Sequence, residues 1–151
     1  MDRNLPIEIR DFLPHRAPML MVDQIDYIDS QSVETTFYVP EDCIFTENGF
    51  LNESGLIENA AQTCSAIVAQ DYFEEGKEKV KLIGFIGAIK KLSIKALPLI
   101  HQTLLTKAQL ISKMNTDDFA LCLIQCEVFS ADKLLMKTTM NLIIKEQEDE
   151  G

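Results

Sequence analysis

The chain has 151 residues, of which 46% are hydrophobic and 25% charged, and its formal net charge is -10. This length and balance fit one globular domain over residues 1–151. The negative charge argues against nucleic acid as a partner, because phosphate binding needs a basic surface, and no run of about 18 or more apolar residues exists that could span a membrane.

The N-terminal part of the chain predicts a helical turn followed by two strands. Residues 7–12 favour a short turn that ends before Leu13-Pro14, because the residue before a proline avoids the helical region. Met19–Ile28 predicts a first strand. Ser32–Val39 is rich in β-branched and aromatic residues and predicts a second strand.

A long helix of unusual composition follows a loop over residues 40–52. Apolar residues recur at helical spacing, Asn52 or Ser54 is suited to cap the helix, and Gly76 is a plausible stop after about Phe73. Many residues inside the helix are small: Ala60, Ala61, Cys64, Ser65, Ala66 and Ala69. Small side chains let other backbone approach closely, so the pattern indicates a buried central helix.

The helix carries one early carboxylate, Glu58, among apolar neighbours. An acidic group in such a setting is typical of a functional site. The alternative is a solvated side chain that the helix dipole stabilises in the first turns. The helix pattern alone is compatible with both interpretations.

The second half of the chain predicts four strands. They are Leu82–Ile94, Gln102–Lys113, Phe119–Phe129 and Leu134–Lys145. Two glycines in the first of them indicate a bulge or a close backbone approach, and short turns between the later strands favour antiparallel pairing. A sheet of this size must cover an apolar face, and only the helix is long and apolar enough. The sequence therefore predicts an α+β fold in which a curved antiparallel sheet wraps around helix 54–75.

The four cysteines and the N-terminus indicate a cytoplasmic protein with reduced thiols. Residues 1–6 lack the apolar segment of a signal peptide. Cys122 and Cys126 would lie roughly 13 Å apart in one strand at about 3.3 Å per residue, too far for a disulfide. The two histidines are far apart in sequence, so no zinc site is expected. We also expect no cofactor.

Three segments carry a family resemblance. They are Leu13–Asp23, with its Pro-His-Arg-Ala-Pro-Met sequence, Glu58–Gln62 at the start of the helix, and the glycine-bearing Gly84–Lys91. In order and spacing they resemble the β-hydroxyacyl-acyl-carrier-protein dehydratases of the FabZ/FabA type, over nearly the whole chain. The resemblance implies the hotdog fold, an acyl-thioester substrate and Glu58 in the position of the catalytic acid.

The loop before the helix departs from that family. The family's catalytic histidine lies here in a His-Phe-Pro-Gly-like run, but the corresponding residue is Ile44, and no histidine occurs between His15 and His101. The run Phe45–Leu51 more closely resembles the divergent dehydratase-like proteins of aryl polyene clusters. Those proteins carry Pro-His-x-Ala-Pro-Met-Leu and a similar Asp/Asn-Gly loop.

Dehydration of a 3-hydroxyacyl thioester needs a base, an acid for the leaving oxygen and donors for the thioester oxygen. The resemblance implies that Glu58 is the acid. We hypothesise that His15 replaces the missing base or positions substrate; the alternative is a structural histidine fixed between two prolines. His101 is expected to be a loop residue.

Three further residues are candidates for binding substrate or orienting the carboxylate. Gly49 and Gly55 could offer backbone N–H groups to the thioester carbonyl near the helix N-terminus, or could have simple turn and helix-start roles. Gln62 lies one turn beyond Glu58 on the same face. It could orient the carboxylate or bond only to backbone.

The expected partner is an acyl carrier protein or a coenzyme A thioester. Carrier proteins are acidic, so a chain this negative must gather its cations locally to bind one. The candidate cations are Arg16, Lys90, Lys91 and Lys95. The alternative is a solvated strand edge protected by lysine. The resemblance further implies a homodimer with sites shared between subunits, with a heterodimer as the alternative.

Three functions are compatible with this pattern. The first is a 3-hydroxyacyl-[acyl-carrier-protein] dehydratase, which the retained Glu58 and His15 motif favour. The second is a hotdog thioesterase in which Glu58 activates water. The third is a non-catalytic acyl-binding subunit of a dehydratase heterodimer, which the missing loop histidine favours.

Overall fold

A curved antiparallel sheet wraps around one long helix in the computed structural model, which describes residues 5–11, 13, 16–74 and 82–146. The strands in these ranges are β1 (Ile7–Glu8), β2 (Gln24–Ile28), β3 (Ser32–Tyr38), β4 (Thr46–Glu47), β5 (Phe50–Leu51), β6 (Leu82–Ile94), β7 (Thr103–Asn115), β8 (Ala120–Ser130) and β9 (Lys133–Glu146). The order in the main sheet is β1-β2-β3-β7-β8-β9-β6, and β4 and β5 pair separately. Helix α1 (Glu53–Glu74) contacts β3 and β6 to β9. The predicted α+β hotdog arrangement is confirmed.

The N-terminal segment differs from the prediction in two places. The predicted helical turn over residues 7–12 is confirmed only over Ile9–Asp11, which form a 3-10 helix, because Ile7–Glu8 form β1 and pair with β2. The next strand begins at Gln24 rather than at Met19. Met19 and Met21 bond instead to side chains of the helix, as described below, and so this segment does not extend β2.

The predicted loop before the helix contains the β4–β5 hairpin. Its turn is Asn48-Gly49, with φ angles of 53° and 83°. Two consecutive left-handed residues are typical of a type I′ hairpin turn, which Asn-Gly favours. The hairpin is held to the loop after β6 because Leu51 N–H donates to Pro98 O at 2.8 Å and Ile100 N–H donates to Gly49 O at 3.0 Å.

The cap of α1 is Asn52. Its Oδ1 accepts the N–H of Gly55 at 2.9 Å, which satisfies one of the free donors in the first turn. The helix therefore begins at Glu53, one residue before the alternative cap, Ser54. The predicted stop at Gly76 lies outside the described residues.

Helix α1 is buried on almost all sides. From Gly55 to Gln70, every residue is buried except Ile57, Glu58 and Ser65. The prediction of a buried central helix is confirmed, and the partly exposed residues mark the part of the helix that the sheet leaves open. In the described ranges no helix is long and apolar enough to cross a membrane.

Gly55 lets the helix start pack against the preceding loop. A Cβ at this position would lie 2.5 Å from Leu51 Cδ1 and 2.9 Å from Phe45 Cβ. We therefore expect Gly55→Ala to lower the free energy of unfolding by about 1–3 kcal/mol, the usual cost of overpacking, in urea denaturation. Ser54→Ala is the matched control, because Ser54 is exposed and is not the cap. It should change the stability by less than about 0.5 kcal/mol. Equal effects would contradict this account.

Charges of alternating sign support the register of the sheet on its outer face. Glu34 of β3 lies opposite Lys107 of β7, Lys107 opposite Glu127 of β8, and Glu127 opposite Lys137 of β9. Lys107 Nζ lies 3.5 Å from Glu34 Oε1. Each exposed pair contributes little by itself, but a slip by one residue would turn the whole row toward the core.

Strand β6 forms one edge of the sheet. Among the described strands it pairs only with β9. Its register shifts at Gly87, between Ile86 and Ala88, which confirms the predicted glycine bulge. Several large apolar side chains of this strand are exposed: Phe85, Ile86, Ile89 and Leu92. The edge is therefore an open strand with an apolar surface.

Candidate active site

Gln62 joins the carboxylate of Glu58 to the N-terminal segment. Its Nε2 donates to Glu58 Oε1 at 2.9 Å and to Met19 O at 2.8 Å, while its Oε1 accepts the N–H of Met21 at 2.8 Å. The side chain is only 1% exposed. Both amide hydrogens are therefore engaged, and the amide holds the Glu58 carboxylate in a fixed orientation.

Asn59 attaches the same segment from the buried side of the helix. Its Nδ2 donates to Met21 O at 2.7 Å, and its Oδ1 accepts the hydroxyl of Thr106 on β7 at 2.6 Å. One turn later, Thr63 Oγ1 lies 2.8 Å from Thr35 Oγ1 of β3. Each of these buried groups has a hydrogen-bond partner. Together the bonds fix the position of the helix along its axis, and its rotation about that axis, relative to the sheet.

A cavity of about 240 Å³ lies between the open face of α1 and β6. Its lining residues are Glu58, Ala61, Gln62, Ser65, Gly84, Phe85, Ile86 and Leu142. Glu58 is the only titratable side chain in this lining, and the walls beyond Gln62 are apolar except for Ser65. A carboxylate at the edge of an apolar slot is suited to proton transfer on a group attached to an acyl chain.

The predicted site residues are only partly brought together. Glu58 and Gln62 share the cavity. Gly49 lies in the β4–β5 turn and is not part of the lining, and the N–H of Gly55 is already engaged by Asn52. Donation from Gly55 to a thioester carbonyl would therefore require the cap to open. His15 lies outside the described residues, and its role stays a prediction.

The predicted cations occupy different places. Arg16 Nη1 donates to Leu13 O at 2.9 Å and its Nη2 donates to Arg10 O at 3.1 Å, so its guanidinium bonds to backbone of the N-terminal segment. Lys90 and Lys91 are exposed on β6, and Lys95 follows that strand. These three lysines lie at or next to the open edge of the sheet.

Neither Ile44 nor His101 lines the cavity. Ile44, at the family's histidine position, is half-exposed. His101 stacks on Tyr38 with ring centroids 6.0 Å apart, and its Nε2 lies 3.9 Å from Glu41 Oε2. Its predicted place in a loop is confirmed.

Six lining residues of the cavity had no predicted role in the site, and two of them, Ser65 and Gly84, lie close together. Ser65 is seven positions after Glu58, so it lies on the same helix face. Gly84 belongs to a segment with predicted close backbone approach, and a Cβ there would lie 3.5 Å from Ser65 Oγ. The helical spacing from Glu58 could have identified Ser65 from the sequence. The contact of Ser65 with Gly84 of β6 depends on how the sheet wraps around the helix, so the sequence does not show it.

Asp23 lies two residues after Met21, and its carboxyl makes the free energy of unfolding depend on pH. Partial burial and the nearby charge of Glu8 raise the pKa of its carboxyl. The N–H of Tyr38, which donates to Oδ2 at 2.7 Å, lowers this pKa, but the net shift is upward. The folded state then binds the proton more tightly than the unfolded state, so stability is lost as pH rises through the folded pKa. We expect Asp23→Asn to be more stable than the wild type at neutral pH, with a gain that disappears below the usual carboxyl range. Thermal unfolding across pH would measure this, and a gain that grows toward acid pH would contradict it.

In the described part of the chain, no group of three or more His, Cys, Asp or Glu side chains could hold a metal ion. Three of the cysteines, Cys64, Cys122 and Cys126, are buried free thiols. Burial raises the pKa of Cys64 well above its ordinary value, with further contributions from the neighbouring Cys126 and Cys122. A neutral, buried thiol is a poor nucleophile, so these cysteines serve as core residues.

Comparison with solved structures finds the same fold in several proteins. A chain of the dehydratase heterocomplex ApeI:P from Xenorhabdus doucetiae superposes with a TM-score of 0.79 at 18% identity, over 97% of this chain and 94% of that chain. A sigma28-regulated virulence protein from Campylobacter jejuni has a TM-score of 0.65 at 12% identity, over 93% and 88%. A hypothetical thioesterase with coenzyme A from Streptococcus pneumoniae has a TM-score of 0.59 at 12% identity, over 83% and 87%. Identities this low establish the fold alone.

Comparison at the level of sequence identifies the family. No curated protein matches the sequence. The ApeP-like family, described as ApeP dehydratase, matches residues 7–150, which include the anchored N-terminal segment, the helix with Glu58 and all the strands of the main sheet. The chain therefore belongs to the ApeP-like family of dehydratases.

Proposed function

We propose that this chain is a 3-hydroxyacyl thioester dehydratase and that Glu58 protonates the leaving hydroxyl group. The observation that carries the proposal is the Glu58 carboxylate at the edge of an apolar cavity, held by Gln62 at 2.9 Å. Membership of a dehydratase family supports the same reaction. The apolar walls of the cavity fit an acyl chain.

The reaction needs two groups that exchange protons. A base removes the α proton, the electrons of that C–H bond form the double bond, and the bond between the β carbon and oxygen breaks as the acid protonates the oxygen to give water. Glu58 is the acid in this proposal. His15 is the proposed base, because it precedes by four residues Met19, whose carbonyl is hydrogen-bonded to Gln62.

The alternative source of the base is a second subunit. The open edge of β6, with its exposed apolar side chains next to the cavity, supports docking of another chain by strand pairing. The solved chain with TM-score 0.79 is part of a dehydratase heterocomplex, which supports a heterodimer as the alternative to the homodimer. Lys90, Lys91 and Lys95 near this edge support an acidic carrier protein as the substrate donor.

Mass spectrometry of a 3-hydroxyacyl thioester after incubation with the protein tests the reaction. The thioester should be presented on acyl carrier protein and, in a parallel sample, on coenzyme A. We expect loss of one water with the thioester intact, and the faster of the two reactions identifies the carrier. Release of the free acyl group would instead indicate a thioesterase. An unchanged thioester, both alone and with a candidate partner subunit, would indicate a non-catalytic acyl-binding subunit.

The His15→Asn variant separates the two sources of the base. If His15 is the base, dehydration falls by roughly 10²–10⁴-fold while the unfolding curve is unchanged. If the base comes from a different protein in a heterodimer, the variant retains its turnover and activity depends on association. Sedimentation at micromolar concentration, with and without the partner, would then distinguish the monomer from the complex.

A further inference from the structure

The end of the cavity far from Glu58 is formed by two small residues on different elements. Ser65 on α1 donates its hydroxyl hydrogen to Ala61 O at 2.9 Å, so it is tied to its own helix. Gly84 on β6 lies opposite. A Cβ on Gly84 would meet Ile144 Cδ1 at 3.3 Å and Ser65 Oγ at 3.5 Å. Helix and strand therefore approach so closely here that one added methyl group reaches the helix.

We propose that Ser65 and Gly84 determine how long an acyl chain the cavity accepts, an inference that rests on the proposed function. The seven residues from Glu58 to Ser65 span about 10 Å at about 1.5 Å per residue. An extended chain rises about 3.3 Å per three bonds, as a β-strand does, so roughly eight to ten carbon atoms fit between the carboxylate and this constriction. A longer tail cannot pass between Ser65 and Gly84, because a Cβ on Gly84 would already contact Ser65 Oγ at 3.5 Å, so these two residues close this end of the cavity.

The lining explains why these two positions act as a pair. Leu142, with 1% exposure, closes the cavity from the sheet side, and Ala61 leaves the helix side open between Glu58 and Ser65. The space at the far end exists because residue 84 has no side chain and residue 65 has a small one. Enlarging either residue shortens the cavity at the same end.

Two variants and a matched control test the inference. Gly84→Ala adds a methyl group at the constriction, and Ser65→Thr adds one from the helix while keeping a hydroxyl for Ala61 O. Gly87→Ala is the control, because Gly87 is on the same strand but does not line the cavity, and a Cβ there would meet Ile143 Cδ1 only at 3.4 Å. Each protein is titrated with saturated acyl thioesters of increasing chain length by calorimetry and is assayed with the matching 3-hydroxyacyl thioesters.

We expect both variants to weaken binding and turnover of long chains by about tenfold or more, the discrimination that one methyl group gives in an apolar pocket. Short chains and the Gly87→Ala control should be unaffected. Loss that is equal at all chain lengths, or no change in the profile, would overturn the inference.

Binding separates this inference from the proposed reaction. If the wild type binds saturated thioesters with a length limit that the two variants shorten, the inference holds even when no water is lost. If the wild type removes water but its length profile is insensitive to both substitutions, the reaction stands and the inference fails. If the wild type binds no acyl thioester, the inference is overturned.

Discussion

Replacement of Glu58 by glutamine should lower the rate of dehydration by roughly 10²–10⁴-fold, the contribution typical of a positioned acid–base group. Glutamine has the same shape, and its side-chain oxygen can still accept the hydrogen bond that Gln62 donates at 2.9 Å. The variant therefore keeps the hydrogen bonds through which Gln62 holds the N-terminal segment, and it loses only the proton that the carboxyl group can transfer. Steady-state kinetics on a 3-hydroxyacyl thioester measures the effect.

The matched control is Glu53→Gln. Glu53 is an exposed carboxylate in the first turn of the same helix, so this variant makes the same change of charge near the helix N-terminus outside the cavity. Its turnover should equal that of the wild type. A similar decrease of turnover in both variants would mean that the rate depends on the total negative charge near the helix N-terminus, and that Glu58 has no special role.

Replacement of Asn59 by leucine should lower the free energy of unfolding by about 2–6 kcal/mol, because Met21 O and the Thr106 hydroxyl would each lose a buried partner at about 1–3 kcal/mol per group. This is a large part of the roughly 5–15 kcal/mol by which a domain is stable. Leucine keeps the branched shape and the number of heavy atoms of asparagine, so the loss mainly reports hydrogen bonding. Urea denaturation followed by far-UV circular dichroism measures it, since the chain has no tryptophan.

The double variant with Thr106→Val identifies the cause. Removing both partners of the 2.6 Å hydrogen bond leaves no orphaned hydroxyl, so the double variant should be destabilised by less than the sum of the two single variants, by roughly 1 kcal/mol or more. Additive losses would contradict the coupling. An Asn59→Leu protein as stable as the wild type would contradict the role of the buried network.

Local sequence patterns predicted most of the fold. The strand Leu82–Ile94 was predicted with its bounds, because β-branched and apolar residues continue along it. The segment 19–23 was wrongly predicted as strand, although its residues favour one. Met19 and Met21 bond to the side chains of Asn59 and Gln62, about forty positions later in the chain, and no local pattern contains that information.

The site was predictable where its residues belong to one helix face. Glu58 and Gln62 are one turn apart, so their contact follows from helical geometry. Gly84 could be predicted to allow a close approach, but not which residue it approaches, because that depends on the wrapping of the sheet. The occupation of the Gly55 N–H by Asn52 likewise depends on which residue caps the helix.

Elimination from a 3-fluoroacyl thioester tests the role of Glu58 most directly, because fluoride leaves without needing a proton from the enzyme. Fluoride release and water loss are measured in parallel for the wild type and Glu58→Gln. If Glu58 protonates the leaving group, the variant should retain most of the fluoride release while losing the dehydration of the 3-hydroxyacyl thioester. Equal loss of both reactions in a folded variant would contradict the assignment of Glu58 as the general acid.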